Sequence, residues 1–335
     1  MDQYPETAAA RDRFVLDRRG PRPPHDPWRS QGVIVEDERT AEGTVARVAT
    51  VFLTGRECPW RCVMCDLWRY TTTEDTPAGA IPDQVAAARA GFQTDSPPVS
   101  AIKLYNAGSF FDPRAVPDAD YDAVAQALTG LSHVVVESHP ALIGERVARL
   151  LSALDNHRGV DGRAPRLEVA MGLETAHPAA LQQLHKRFTM PGFARAAGAL
   201  RDLGVTLRVF LLVAPPFIQS DEQDVWLRRS VDAAFDCGGS VVSLVPTRKG
   251  NGSMEALEAL GSFRSPTLDD IERSMALALE QSNGRGRVFV DLWDLDRFAM
   301  CHECLAPRRA RLHAMNLEQR ILPPCSCGAG DHGAH

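Results

Sequence analysis

No stretch of this chain approaches the roughly 18 uninterrupted apolar residues that a membrane-spanning helix needs, which argues against a membrane protein. Residues 1–30 carry Arg, Asp and Pro in place of the apolar core of a secretory signal. The cytoplasm is therefore the expected location. Cysteine is sparse: eight in 335 residues are too few for the disulfide framework of a small secreted scaffold. An excess of positive charge is missing as well. The formal net charge of −6 speaks against a generic nucleic-acid binder, whose domain would be basic. Arg308, Arg309 and Arg311 read as one solvated helix face rather than a binding patch.

What is present is concentrated in Cys58-Pro59-Trp60-Arg61-Cys62-Val63-Met64-Cys65, directly after the β-branched apolar run 48–54. Three thiols lie there at CxxxCxxC spacing. Structural zinc and the cubane clusters of electron carriers each take four protein ligands. Three thiols on one loop leave a metal corner open to something that is not protein. A thioredoxin-like dithiol is another reading of Cys62 and Cys65, and it leaves Cys58 surplus.

Five prolines among charges mark residues 1–44 as an extended arm. Beyond it, apolar β-rich runs at 44–54, 99–106, 133–138, 166–173, 205–213, 240–246 and 287–293 alternate with Ala/Leu/Arg segments of helical spacing. Repeated β-then-α order predicts an α/β fold with a parallel sheet covered by helices. About six units precede the break in pattern, so an incomplete parallel barrel of (β/α)6 type is expected, ending in a cysteine-rich extension. The expected domains are the arm (1–44), the partial barrel (45–295) and the extension (296–335). Chemistry in such a barrel sits at the C-terminal ends of the strands, where the cysteine loop falls.

Other strand ends supply further candidates. Asn106, Gly108 and Ser109 form a small-residue turn that lets backbone approach a ligand. Glu137 is a carboxylate at the end of a buried strand, where it needs a partner or a ligand; His139 follows as a turn residue. Glu174 either faces a ligand or caps the next helix, as Thr175 could too. Arg208 lies inside an apolar run and is expected to enter the lumen or to pair with a carboxylate such as Glu174. The glycines and basic residues of 246–253 could contact a cofactor or an anionic substrate. Near the end, Cys301 and Cys304 precede an Arg-rich helix and Cys325 and Cys327 follow it, a four-thiolate count that suits zinc or an auxiliary iron–sulfur cluster. Cys237 reads as a core thiol.

The loop Cys58, Cys62, Cys65 resembles the cluster loop of the radical S-adenosylmethionine (SAM) superfamily. Membership would imply a [4Fe–4S] cluster on these three thiolates, with the amino and carboxylate groups of SAM on the fourth iron. The resemblance further implies that Asn106, Gly108 and Ser109 meet the SAM amino group, although Ser109 replaces the family's usual glutamate. It implies that Glu174 places a polar group against SAM and that Lys186 meets the methionyl carboxylate, and the strand-end Glu137 is then a candidate for holding a ribose hydroxyl. Met64 stands where the family usually has an aromatic residue and could pack on adenine. Arg208 joins the cofactor-binding candidates. The order NAGSFFDP, GLET, LLVAPPF, PTRKGNGSMEAL, CxxC, helix, CxC over 45–327 is similar to the subfamily that includes the archaeosine-synthase radical subunit.

That resemblance implies reductive cleavage of SAM to a 5′-deoxyadenosyl radical, fed by an electron donor such as flavodoxin or ferredoxin. The substrate would be a modified nucleoside in tRNA or a small molecule of natural-product biosynthesis. A different class stays open, a non-catalytic sensor in which both cysteine sets are structural.

Overall fold

The structure is a computed structural model that describes residues 3–106 and 108–325. Eight strands form one sheet in chain order: β1 (Gly32–Arg39), β2 (Val45–Leu53), β3 (Val99–Asn106), β4 (His133–Glu137), β5 (Arg166–Glu174), β6 (Thr206–Val213), β7 (Gly239–Pro246) and β8 (Arg287–Val290). β1 is antiparallel to β2, and each later neighbouring pair is parallel. Helix α1 (Ala8–Leu16) precedes the sheet. Between the parallel strands lie α2 (Ala80–Phe92), α3 (Tyr121–Ala127), α4 (Glu145–Asn156), α5 (Pro178–Gln183), α6 (Met190–Asp202), α7 (Gln223–Asp236), α8 (Ser253–Ala259) and α9 (Leu268–Ser282), and α10 (His302–Glu318) follows β8. Among the described residues no helix is long and apolar enough to cross a membrane.

Alternation along the strands decides which face meets the helices. Val51, Ile102, Val136, Val169, Val209 and Val242 are buried in one core with Ile81, Val124, Leu150, Phe193, Val231 and Met275 of the helices. Their neighbours on the opposite face are polar: Lys103, Glu137, Glu168, Arg208 and Ser243. Arg208 donates through Nη2 to Glu38 of β1 and through Nε to Glu168 of β5, each at 2.6 Å. β1 and β6 are five positions apart in the sheet, roughly 24 Å if it were flat at about 4.8 Å per strand. Contact over that span requires the sheet to curl, and the result is a half-barrel with its polar face inside.

The curl stops short of closure. The free edge of β8 is instead covered by α10, whose Asn316 amide accepts from Val290 N (2.9 Å) and donates to Val290 O (2.9 Å). Gln319 repeats this on Val288, accepting at 2.7 Å and donating at 2.8 Å. Two side-chain amides thus satisfy an edge that would otherwise invite another strand.

The open parallel barrel expected from the strand count is present. Two features differ from expectation. Residues 1–44, read as an extended arm, contain α1 and β1. The acids of β1 disguised it, because Glu36 and Glu38 point inward to Trp293 Nε1 (3.2 Å) and Arg208 rather than to water. Arg208 enters the lumen, but its partners are Glu168 and Glu38 instead of Glu174.

Burial acts to raise the Glu38 and Glu168 carboxyls, yet Arg208, joined by Lys103 at Glu38 and His133 at Glu168, outweighs it and holds both below the usual carboxylate range. Their contribution is therefore complete above an unfolded-state pKa of about 4.3 and is lost as pH falls through the lower folded values. Arg208 is 2% exposed, and removing one member of a buried pair costs about 3–5 kcal/mol. Arg208→Met should lose stability of that order in urea unfolding at pH 7, and the gap to wild type should narrow below about pH 4. A gap that stays constant to pH 3 contradicts this account.

Candidate cofactor site

The cysteine loop leaves β2 at its C-terminal end and is held from several sides. Val63 N donates to Leu184 O at 3.1 Å. Asn251, 3% exposed, donates through Nδ2 to Val63 O (2.9 Å) and Cys65 O (3.2 Å), while its Oδ1 accepts from Met254 N (2.9 Å). Trp60 lies flat on His139, with ring centres 3.6 Å apart and planes 13° from parallel. His139 is fixed in turn, with Nε2 2.8 Å from Lys186 O and Nδ1 accepting from Ala141 N. Burial, with Lys186 nearby, pulls the imidazole down to about 3, so it is neutral and Nε2 is the donor. Glu57, next to Cys58, is gripped by Arg19, Arg22 and Arg61. These contacts set the loop before any ligand arrives.

Cys58, Cys62 and Cys65 are not joined in disulfides. Burial pushes the Cys62 thiol up to about 12 and raises Cys58 and Cys65; Cys58 further raises Cys62, and both raise Cys65. As thiolates, such a group calls for a cation, and metal binding would expel its protons. Among the described residues no three His, Cys, Asp or Glu side chains are placed to hold a single metal ion. A cubane asks for something else, one thiolate for each of three iron corners.

Around the loop, the strand ends present polar groups lacking full protein partners. Asn106 ends β3 and is 4% exposed, and neither atom of its side-chain amide has a partner. Buried amides in that state point to a missing ligand. Gly108 leaves no room for a side chain, because a Cβ there would come within 2.9 Å of Arg56 O. Ser109 is engaged within the protein: its hydroxyl donates to Ser138 Oγ (3.1 Å) and accepts from His139 N (2.8 Å). Burial pushes the Glu137 carboxyl up to about 8, despite the opposing Asn106 N–H and Lys186.

Glu174 ends β5 in the left-handed region, φ 68°. Its Oε1 lies 2.6 Å from Lys186 Nζ, which also donates to Gly172 O at 2.7 Å. A Cβ on Gly172 would overlap both charged groups, so a side chain there would displace the Glu174–Lys186 pair. Helix capping is not the role of Glu174, since His177 Nδ1 accepts the capping bond from Ala180 N. Burial works against the Lys186 ammonium, but Glu174 and the neighbouring thiols raise it, and the side chain stays charged. Met64 packs half-buried in a second small core with Phe14, Val15, Val63, Leu184 and Met254.

The structure thus brings Cys58, Cys62 and Cys65 together with Glu174 and Lys186, while Arg208 is committed to Glu168, Glu38 and Ser243. Sequence reasoning missed Asn251 as an anchor of the loop and the N-terminal contacts of Asp12, Arg19 and Arg22. Asn251 did carry a signal, an amide between two glycines ahead of a helix, but its partners are distant in the chain. At the other end, Cys301 leads into α10 and Cys304 is buried in its first turn. The chain then folds back: Arg311 holds Leu322 O and Pro323 O, and Cys325 Sγ sits 3.6 Å from Pro307 O. Cys327 lies outside the described residues.

No protein-family model matches the chain. It is 28% identical over 237 residues to archaeosine synthase subunit beta of Methanosarcina acetivorans, a match covering 68% of this chain and 65% of that protein. The chain thus spans just under two thirds of that relative's length. An uncharacterized protein of Methanocaldococcus jannaschii is 22% identical over 271 residues, covering 77% of this chain and 72% of that one. The fold is shared with Elp3 of Methanocaldococcus infernus lacking its N-terminus (TM-score 0.54, 14% identity, 82% of this chain and 64% of that one). It is shared also with methylornithine synthase, PylB (TM-score 0.52, 12% identity, 95% and 78%). The chain is thus similar in sequence to archaeosine synthase subunit beta, and its CxxxCxxC loop sits on a curled, mostly parallel sheet of the fold it shares with Elp3 and methylornithine synthase.

Proposed function

We propose that the chain binds a [4Fe–4S] cluster through Cys58, Cys62 and Cys65 and holds SAM over its open corner. When bound, the cluster supplies one electron for cleaving SAM to methionine and a 5′-deoxyadenosyl radical, which takes a hydrogen atom from the substrate. The chain's own part is placement and exclusion of water. One observation carries the reading: three free thiols, Cys62 buried and Cys58 and Cys65 half-buried, lie on a loop at the strand ends where a buried amide, Asn106, has no partner among the described residues. Asn106 and the Gly108 turn suit the amino group, and Lys186 with Glu174 suits the methionyl end. Glu137, its carboxyl raised by burial, suits a ribose hydroxyl. Met64 offers an apolar edge for adenine. The reductant would be a small donor such as flavodoxin or ferredoxin.

The name of the 28% identical relative favours a modified nucleoside as substrate, and the tRNA that would carry it is the macromolecular version of that proposal. The net charge of −6 favours the second version, a small molecule. Adding RNA or low-molecular-weight candidates to the reduced protein separates them. The one that raises the yield of 5′-deoxyadenosine names the class, and RNA without effect sinks the tRNA version.

For the C-terminal set, Cys301, Cys304, Cys325 and Cys327 are proposed to hold a second metal, zinc or an auxiliary iron–sulfur cluster. The return of Cys325 to α10 supports it. In anaerobically reconstituted protein, Cys62→Ala should abolish 5′-deoxyadenosine formation and remove about four iron atoms per chain, while the C-terminal metal remains. Undiminished 5′-deoxyadenosine would overturn the assignment of the loop.

A further inference from the structure

The segment ahead of the barrel lies across its mouth. Tyr4 Oη donates to Gln183 O at 2.7 Å and Arg11 Nη1 to Gln182 O at 2.9 Å, while Phe14 and Val15 are buried beside Leu184 and Val63. These contacts fasten α1 to the end of α5, one turn before Lys186.

Two of the residues that follow are conformationally unusual. His185 and Arg187 both lie in the left-handed region, at φ 61° and 60°, where glycine is the ordinary occupant. The position after a helix end accounts for one such residue; a second two residues later needs something to hold it. Asp12 of α1 does so. Its Oδ1 lies 2.9 Å from His185 Nε2, and its Oδ2 pairs with Arg187. His185 is 3% exposed. Lys186 stands between the two, its carbonyl accepting from His139 and its ammonium set between Glu174 and Gly172 O.

We infer that Asp12 is a positioning residue for Lys186: one carboxylate from outside the barrel fixes both flanks of the residue that meets SAM. The N-terminal segment is then part of the cofactor site rather than an appendage. The link to SAM rests on the function proposed above, whereas the clamp on Lys186 does not.

The chain has three lysines, Lys103, Lys186 and Lys249, so amine labelling can be read residue by residue. Full-length apo protein is treated with limiting acetic anhydride and each lysine quantified by mass spectrometry. Lys249, half-exposed and paired with Glu258, is the reference; Lys103, paired with Glu38, reports general unfolding. In Asp12→Asn, labelling of Lys186 relative to Lys249 should rise several-fold with Lys103 unchanged. An unaltered Lys186 ratio overturns the inference. If Lys103 also rises, the milder Arg187→Gln decides by the same criterion, since it removes one arm of the clamp and leaves α1 docked. In a parallel arm, reconstituted Asp12→Asn at wild-type iron content should bind SAM several-fold more weakly by calorimetry. Equal affinity overturns the link to SAM. Wild-type protein that does not bind SAM overturns the functional reading instead, and the labelling ratio still decides the role of Asp12.

Discussion

Three thiolates cannot be buried side by side in a protein interior without positive charge to balance them. The architecture around residues 58–65 follows from that constraint. The thiols of Cys58, Cys62 and Cys65 are raised by burial, and those of Cys62 and Cys65 also by neighbouring thiols, while the ammonium of Lys186 offsets Cys58 and Cys62 only in part. On the function proposed above, a cluster would complete this site, and a loop with three ligands would leave that cluster one partner to find outside the chain.

The half-barrel makes such a site possible by segregating polarity along its lumen. Deep between the strands, Arg208 joins β1, β5, β6 and β7 through Glu38, Glu168 and Ser243. That network satisfies the buried charges and holds the curl. Toward the strand ends the lumen changes character, to Asn106, Glu137, Glu174 and Lys186. The edge where a full barrel would close is finished by Asn316 and Gln319 of α10. The β8 edge is therefore not left bare.

Much of this was legible in the sequence because it is local. Cysteine spacing is a feature of eight consecutive residues, and β-then-α order follows from the alternation of apolar runs. The strand ends that carry polar groups followed from fold logic once the parallel order was known. What escaped has a common cause: partners far apart in the chain. β1 looked like a charged arm because the groups that satisfy Glu36 and Glu38 lie at Trp293 and Arg208. Asn251 looked like loop, yet its amide holds carbonyls 186 and 188 residues earlier. Asp12 and His185 are 173 residues apart. Arg208 was read correctly as needing a carboxylate, and the wrong one was chosen, since local pattern does not tell which acids share a lumen layer.

The central claim is that the open corner of the three-thiol loop is where SAM binds. The electron paramagnetic resonance spectrum of anaerobically reconstituted, dithionite-reduced protein tests it most directly, recorded with and without SAM. If SAM ligates the cluster, its addition changes the line shape and g-values of the reduced-cluster signal. A cluster signal that SAM leaves unchanged contradicts the account.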